Sequence, residues 1–463
     1  MAMRKKILSI LTAAALVAFA GPGTQVRADT LADAMAAAYR NSDLLDQNRY
    51  LLRLQDEGVA QQVAGLRPVI NFVATSRWSS PSTGQMDRIG LTAEMLLYDG
   101  GGRRLLREAA REQVLAARQS LVALEQQVLL DAVTAYMQVW RDMQVVSVRE
   151  SNVRVITQQL RAARDRFEVG EDTRTDVAQA EARLAGARRD LAAAEGSLMI
   201  NSELFLLAVG RAPNQLTGPG PLPSLPSSNE EAYEIARQNH PSIQAGRHGQ
   251  RADELNLDAA RSDYGPSVSL SANAGIDPAD RSDGFEDSAS GTLTLSLTQP
   301  LYAGGRLASN ERIALATLHA GLSELNQVVR QVGQGIGNSF AQISIASASI
   351  QASRQQIRAN RLAFEGVQEE ASLGARTTLD VLDAEQDLLD ARIGLIEAQS
   401  ALYQASYGLL AAMGLLTVER LGLDVPEYDV AAYSDAVSGA PMRSPTVRGA
   451  RLDAVLDRLG RDQ

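Results

Sequence analysis

Cysteine does not occur anywhere in this 463-residue chain. Disulfides, thiolate metal sites and lipid attachment through an N-terminal cysteine are therefore excluded. Lysine is confined to Lys5 and Lys6, so every later cationic side chain is arginine or histidine. Aromatics are scarce, 4% against 45% hydrophobic residues. That balance rests on alanine and leucine and favours helices over a large aromatic core. After the N-terminal segment no run approaches the roughly 20 apolar residues of a spanning helix. Any membrane contact is thus expected from strands or from a surface. Basic tracts are missing too, and an acidic chain of net charge −10 without them is a poor nucleic-acid binder.

Residues 1–28 read as a secretory signal peptide. Arg4, Lys5 and Lys6 form a basic start, Ile7 to Ala20 an apolar run, and Val26-Arg27-Ala28 a small-residue cleavage site. The alternative, a retained anchor, is disfavoured by the shortness of the run. Its removal would take away four cations and no acid, leaving a net charge of −14.

The rest of the chain is one programme run twice. Residues 29–210 hold a helix from Thr30 to Leu66, strands at about 69–78 and 88–98, a long helix at about 103–167, and a second helix from about Thr175 to Gly210. A linker at 211–229 carries Pro213, Pro219, Pro221, Pro223 and Pro226. Residues 230–414 then repeat the order, with a helix over 229–264, strands at about 268–276 and 291–302, a long helix at about 306–372 and a last helix to about Ala412. Pro266 answers to Pro68, Asn239 to Asn41, and Tyr302-Ala303-Gly304-Gly305-Arg306 to Tyr98 through Arg103. The tail at 415–463 is expected to be mostly irregular, with a short helix at Val447 to Leu459.

The long helices carry seven-residue repeats: Leu315, Leu322, Val329, Ile336, Ile343, Ile350, Ile357 and Phe364 in one, and Val381, Leu388, Leu395, Leu402 and Leu409 in the next. Such a repeat means coiled-coil packing, and about 65 residues of helix extend about 100 Å. Heptads alone would fit a solid rod. The strands argue against one. Val268, Leu270, Ala272, Ala274 and Ile276 alternate with serine, asparagine and glycine, and Leu293, Leu295 and Leu297 alternate with threonine and serine. Each strand is near the 9–11 residues that cross a bilayer as a tilted strand, with one apolar and one hydroxyl-rich face. Four strands cannot close a barrel, which needs about eight, so a barrel would be shared between chains.

Each long helix ends in a corner. Leu373 to Gln386, LGARTTLDVLDAEQ, matches Val169 to Glu181, VGEDTRTDVAQAE, with Gly374 answering Gly170, Thr377 answering Thr173 and Asp380 answering Asp176. Thr377 or Thr378 suits an N-cap, and Asp380 suits the first helical turn. Asp380 and Asp383, three apart, share a helical face.

On these residues the chain resembles the TolC family of outer-membrane channel proteins, over about Asp29 to Leu416. The resemblance rests on the duplication, the strand pairs, YDGGGR and YAGGR, and the LGARTTLDVLDAEQ corner. It implies an α+β membrane protein: a homotrimer whose shared twelve-stranded transmembrane β-barrel continues as a helical coiled-coil tunnel into the periplasm. A periplasmic adaptor protein and an inner-membrane transporter of ABC, RND or MFS type would dock at the far tip. The tunnel would serve as exit duct of a tripartite efflux pump or a type I secretion system. It further implies that Asp380 and Asp383 form acidic rings at the narrowest point, favouring cations. Arg376 would tie the corners shut through Thr175 and Asp176, and Val169, Gly170, Glu171, Leu373, Gly374 and Ala375 would meet the adaptor. Ala371 stands where the family often has a gating tyrosine.

Other chemistry is poorly supported. Asp380 and Asp383 have no nearby histidine for an acid/base or metal site, His240, His248 and His319 lack metal-pair spacing, and Gly100 to Gly102 lack the Gly-Lys-Ser/Thr of a phosphate loop. No cofactor and no catalytic role are expected. The rival reading is a periplasmic coiled-coil adaptor or scaffold without a pore, for which the flanking β-rich domains are not found.

Overall fold

The computed structural model describes residues 29–79, 84–171, 173–277, 288–426 and 428–440. Its elements run α1 (Leu31–Asn41), α2 (Asp43–Ala64), β1 (Val69–Ser79), β2 (Gly84–Tyr98), α3 (Gly102–Glu168), α4 (Arg174–Val209), α5 (Asn229–Asn239), α6 (Pro241–Ser262), β3 (Ser267–Asp277), β4 (Ser288–Thr298), α7 (Arg306–Ser372), α8 (Thr378–Ala412), α9 (Val418–Leu421) and α10 (Ala432–Val437). The order is the duplicated one, and α3 and α7 are each 67 residues long.

Four expectations need correction. The helix expected from Thr30 to Leu66 is two helices, because Ser42 leaves helical geometry and caps α2 by accepting from Leu45 N. The second copy breaks at His240, which caps α6 ahead of Pro241. β4 stops at Thr298 rather than running to Tyr302, since Pro300 has no N–H for the ladder. Finally, α4 contains a stretch apolar enough to span a membrane by length and composition. In the tail, α9 and α10 supply two short helices, while the helix expected at 447–459 lies outside the described residues.

The four strands form one antiparallel sheet in chain order, with β1 and β4 at its edges. The register sorts the side chains by face. Ile70, Ala93, Ala272 and Leu293 share one row, and Asn71, Thr92, Asn273 and Thr292 the next. The apolar face is uncovered: Phe72 is 69% exposed and Leu293 72%.

The core lies at the other end of α2, where the short helices break. Leu45, Leu129, Val133, Tyr136, Phe205, Ile336, Leu409 and Met413 are buried there from both repeats. The Tyr136 hydroxyl lies 2.7 Å from Thr217 O and 3.0 Å from Asp29 O, tying α3 to the linker and to the first described residue. The breaks are held against the ends of the long hairpins. Asn41 Nδ2 donates to Val209 O at 3.0 Å, and Gly414, after α8, sits on Asn239 and His240. From this core α3–α4 and α7–α8 project as two antiparallel hairpins, and the tail returns towards the sheet. Arg67, just before β1, donates to Gly439 O and Ala440 O at 2.6 and 2.8 Å.

Candidate functional site at the helical corners

Both hairpins turn in the same way. Gly170 and Gly374 take φ of 85° and 76°. Glu171 N donates to Arg166 O and Ala375 N to Glu370 O, each at 2.9 Å, closing Schellman motifs that satisfy the last carbonyls. Thr173 and Thr377 then open α4 and α8. Each accepts from the backbone three residues on, while Asp176 and Asp380 reach back to the cap. Asp380 accepts from Thr377 N at 2.9 Å and Thr377 Oγ1 at 2.8 Å, and Asp176 from Thr173 N at 2.9 Å and Thr173 Oγ1 at 2.6 Å. These bonds hold both carboxyls below their usual range. The capping box is a job that sequence reading does not give these two acids.

The other expected residues fall around the corners. Val169 and Leu373 are 72% and 78% exposed, and Glu171, Ala375 and Thr175 are exposed beside them. Arg376 is exposed as well. Its Nε donates to Glu370 at 2.8 Å, six residues back on the same corner. Thr175 and Asp176 belong to the corner of the other hairpin. Ala371 is half-buried in the last turn of α7.

The contacts that join the two hairpins come from elsewhere on α8. Thr378, 5% exposed, receives Arg166 Nη2 of α3 at 2.9 Å. Leu382, 3% exposed, enters a cluster of Ile156, Leu160, Ala180, Leu184 and Ala187 between α3 and α4. Asp383 pairs with Arg183 of α4, 200 residues away. Glu385 is buried facing Asn152 of α3. Two helical turns, 378–385, thus carry a polar, an apolar, an ionic and a buried acidic contact onto the other hairpin. Sequence reading finds Asp383 but not its partner, and misses Arg166, Arg183 and Asn152. Nothing in the spacing of one hairpin reveals its register against the other.

Burial raises the Glu385 carboxyl above its ordinary value, and Asn152 offsets part of the rise. A carboxyl raised in the folded state favours folding at low pH, and that contribution is lost as pH rises through the raised value. Glu385→Gln keeps the shape and removes the charge. The variant should therefore lose less thermal stability than the wild type between about pH 4 and about pH 8. Unfolding followed by circular dichroism at the two pH values checks this. Equal losses would show that Glu385 is already solvated.

No group of histidine and acidic residues placed to hold a metal occurs among the described residues. The corners offer exposed backbone and charged side chains beside a seam between the two hairpins. The family model described as outer membrane efflux protein matches residues 35–211 and 232–415. The outer membrane efflux protein BepC of Brucella suis is 35% identical over 90% of this chain and 92% of its own length. The outer membrane protein TolC of Vibrio cholerae is 26% identical over 84% and 90%. The crystal structure of the Campylobacter jejuni CmeC outer membrane channel superposes with a TM-score of 0.75 at 16% identity, covering 89% of this chain and 90% of that one. With the family matched across both repeats, the chain belongs to the outer membrane efflux protein family.

Proposed function

We propose that three copies of this outer-membrane protein close a twelve-stranded barrel, that the hairpins of the three chains continue it as a tunnel through the periplasm, and that the tunnel is the exit duct for a periplasmic adaptor and an inner-membrane transporter. The observation that carries the reading is the sheet: four strands, two unpaired edges, an apolar face exposed to its surroundings and a hydroxyl face behind it. An apolar face outward and a polar face inward is what a lipid-embedded, water-filled barrel needs. An adaptor or scaffold without a pore has no use for it.

Docking falls to the exposed corners, Val169 to Glu171 and Leu373 to Ala375. Opening means parting α8 from the α3–α4 hairpin along 378–385. Asp380 and Asp383 stand at this end as the constriction acids, Asp380 turned onto its cap and Asp383 shared with Arg183. Arg376, set on Glu370 within the chain, meets Thr175 and Asp176 across chains when the three tips converge. Exposed ion pairs of this kind contribute about 0–1 kcal/mol each, so a docking partner can undo them.

The mature protein in detergent should have the mass of three chains, measured by light scattering. A stable water-soluble monomer would overturn the architecture. Efflux and protein secretion are then separated in cells lacking the protein, by whether antibiotic tolerance falls or a secreted protein is retained.

A further inference from the structure

After α9 the chain runs back along α2 as a strap, residues 428–440, that includes α10. Its anchors are mostly polar. Tyr428 lies under the Arg49 guanidinium at 4.9 Å, and Tyr433 under that of Arg53 at 5.3 Å. The Tyr433 hydroxyl donates to Glu57 at 2.8 Å, and at the far end Arg67 holds the Gly439 and Ala440 carbonyls. Within α10, Val437 alone is buried. A segment with so little apolar burial belongs to the parts of a fold that open first.

Beneath the strap sits a carboxyl. Asp56 of α2 is 2% exposed, and neither of its oxygens completes a hydrogen bond to any described group. Two other elements close over it. α10 brings Tyr433 and the Ser434 hydroxyl, and α3 brings Arg118, whose Nε also lacks a partner among the described residues. Arg53 and Glu57 flank it on α2 itself. Ser434 and Arg118 favour the ionised form. Burial, the largest influence, and Glu57 disfavour it, so the carboxyl stands above its ordinary range. An ionised group buried without completed hydrogen bonds is costly, and the neutral acid avoids that cost.

We propose that α10 is a proton-latched strap, closed over α2 while Asp56 carries a proton and lifted when that proton leaves. On lifting, the proton passes to solvent and water hydrates the carboxylate. On closing, one proton is taken up. A closed state that holds the proton more tightly than the open one is favoured at low pH, and it loses that advantage as pH rises through the raised value. Glu57 works in the opposite sense, since its ionised form accepts from Tyr433 and acid weakens that bond. Burial and Glu57 push the Tyr433 hydroxyl up to about 12, so it stays a donor throughout. Lifting also frees Arg67 at the foot of β1, so proton binding at Asp56 reaches an edge strand of the sheet. Every group involved belongs to one chain, so the latch operates whether or not three copies assemble.

Hydrogen exchange reads the latch directly, because Asp435 N, Ser438 N and Ala440 N are all bonded within the strap. The full mature chain in detergent is exchanged at about pH 4 and about pH 8. Exchange over 432–440, followed by mass spectrometry, is expressed relative to an unstructured chain at the same pH. Protection should fall severalfold from the acid to the alkaline sample, while the helix around Tyr136 keeps its protection at both. Asp56→Asn keeps the shape and cannot ionise, so its strap should hold the acid level of protection at both pH values. Asp56→Ala, which removes the carboxyl altogether, should likewise show no drop. Glu57→Gln should keep the wild-type drop. Wild-type strap protection independent of pH would overturn the latch. The same drop in both Asp56 variants would overturn it too, by placing the titrating group elsewhere. A drop shared equally by the helix around Tyr136 would mean that the whole fold loosens, and would also overturn it.

Discussion

Leu382→Asp should open the corner end of the channel. Leu382 is 3% exposed among Ile156, Leu160, Ala180, Leu184 and Ala187, and it is the apolar side chain by which α8 enters the α3–α4 hairpin. A carboxylate placed there meets only apolar side chains in the cluster, Arg183 and Arg189 in the same recess are already paired with Asp383 and Asp190, and burying such a charge costs several kcal/mol even after relaxation. The simplest escape is for the first turns of α8 to swing away from α3 and α4. The large core is remote, around Tyr136 and Phe205, so assembly should survive. Single-channel conductance in planar bilayers should rise well above that of the wild type, with the three-chain mass unchanged. Leu382→Ala loses about 2–5 kcal/mol of packing without introducing a charge, and should give a smaller rise. Wild-type conductance in the aspartate variant would show that α8 is held by the Arg166 and Arg183 contacts alone.

The second large effect is expected at Gly414, and it concerns stability. Gly414 adopts φ of 78° directly after α8, and a Cβ there would lie 2.6 Å from His240 Cα and 2.7 Å from Asn239 O. Both are backbone atoms at the α5–α6 break and cannot rotate aside. Gly414→Ala therefore combines left-handed strain with overpacking, together about 2–5 kcal/mol. Gly422→Ala is the control: its φ is 61°, but nothing lies within 4 Å of the added carbon. It should cost about 1 kcal/mol. Thermal unfolding of the two variants should separate them clearly. Similar midpoints would mean that the break at His240 can yield.

Much of this fold is legible in the sequence. α7 falls on 306–372 because two independent signals bracket it, the glycine pair before Arg306 and the glycine after Leu373, while its heptads run unbroken between. The strands read well where apolar and hydroxyl residues alternate and badly where they do not. Gly84 to Asp87 in β2 has no such alternation, and at β4 the apolar pair Leu301–Tyr302 suggests more strand than Pro300 permits. The break at Ser42 is hidden because Asn41 and Ser42 are tolerable inside a helix, and tertiary contact with Val209 makes them an end. The site divides in the same way. Corners, caps and the Asp380–Asp383 face are local and readable. The pairing of Arg183 with Asp383 and of Arg166 with Thr378 depends on how two hairpins from different repeats are set side by side, which no local pattern encodes.

The two open edges of the sheet also bear on how the protein reaches its final state. Each newly exported chain presents unpaired N–H and C=O groups along β1 and β4, beside an apolar face, and such edges readily pair with the wrong neighbour. Neither edge is paired by the described residues. In the proposed trimer its last folding step is an encounter between molecules, with a rate set by local concentration and a stability inseparable from it. Until that encounter, a single chain gains from a holding chaperone or from the membrane surface, and partners that crowd chains together would speed maturation without touching the finished channel.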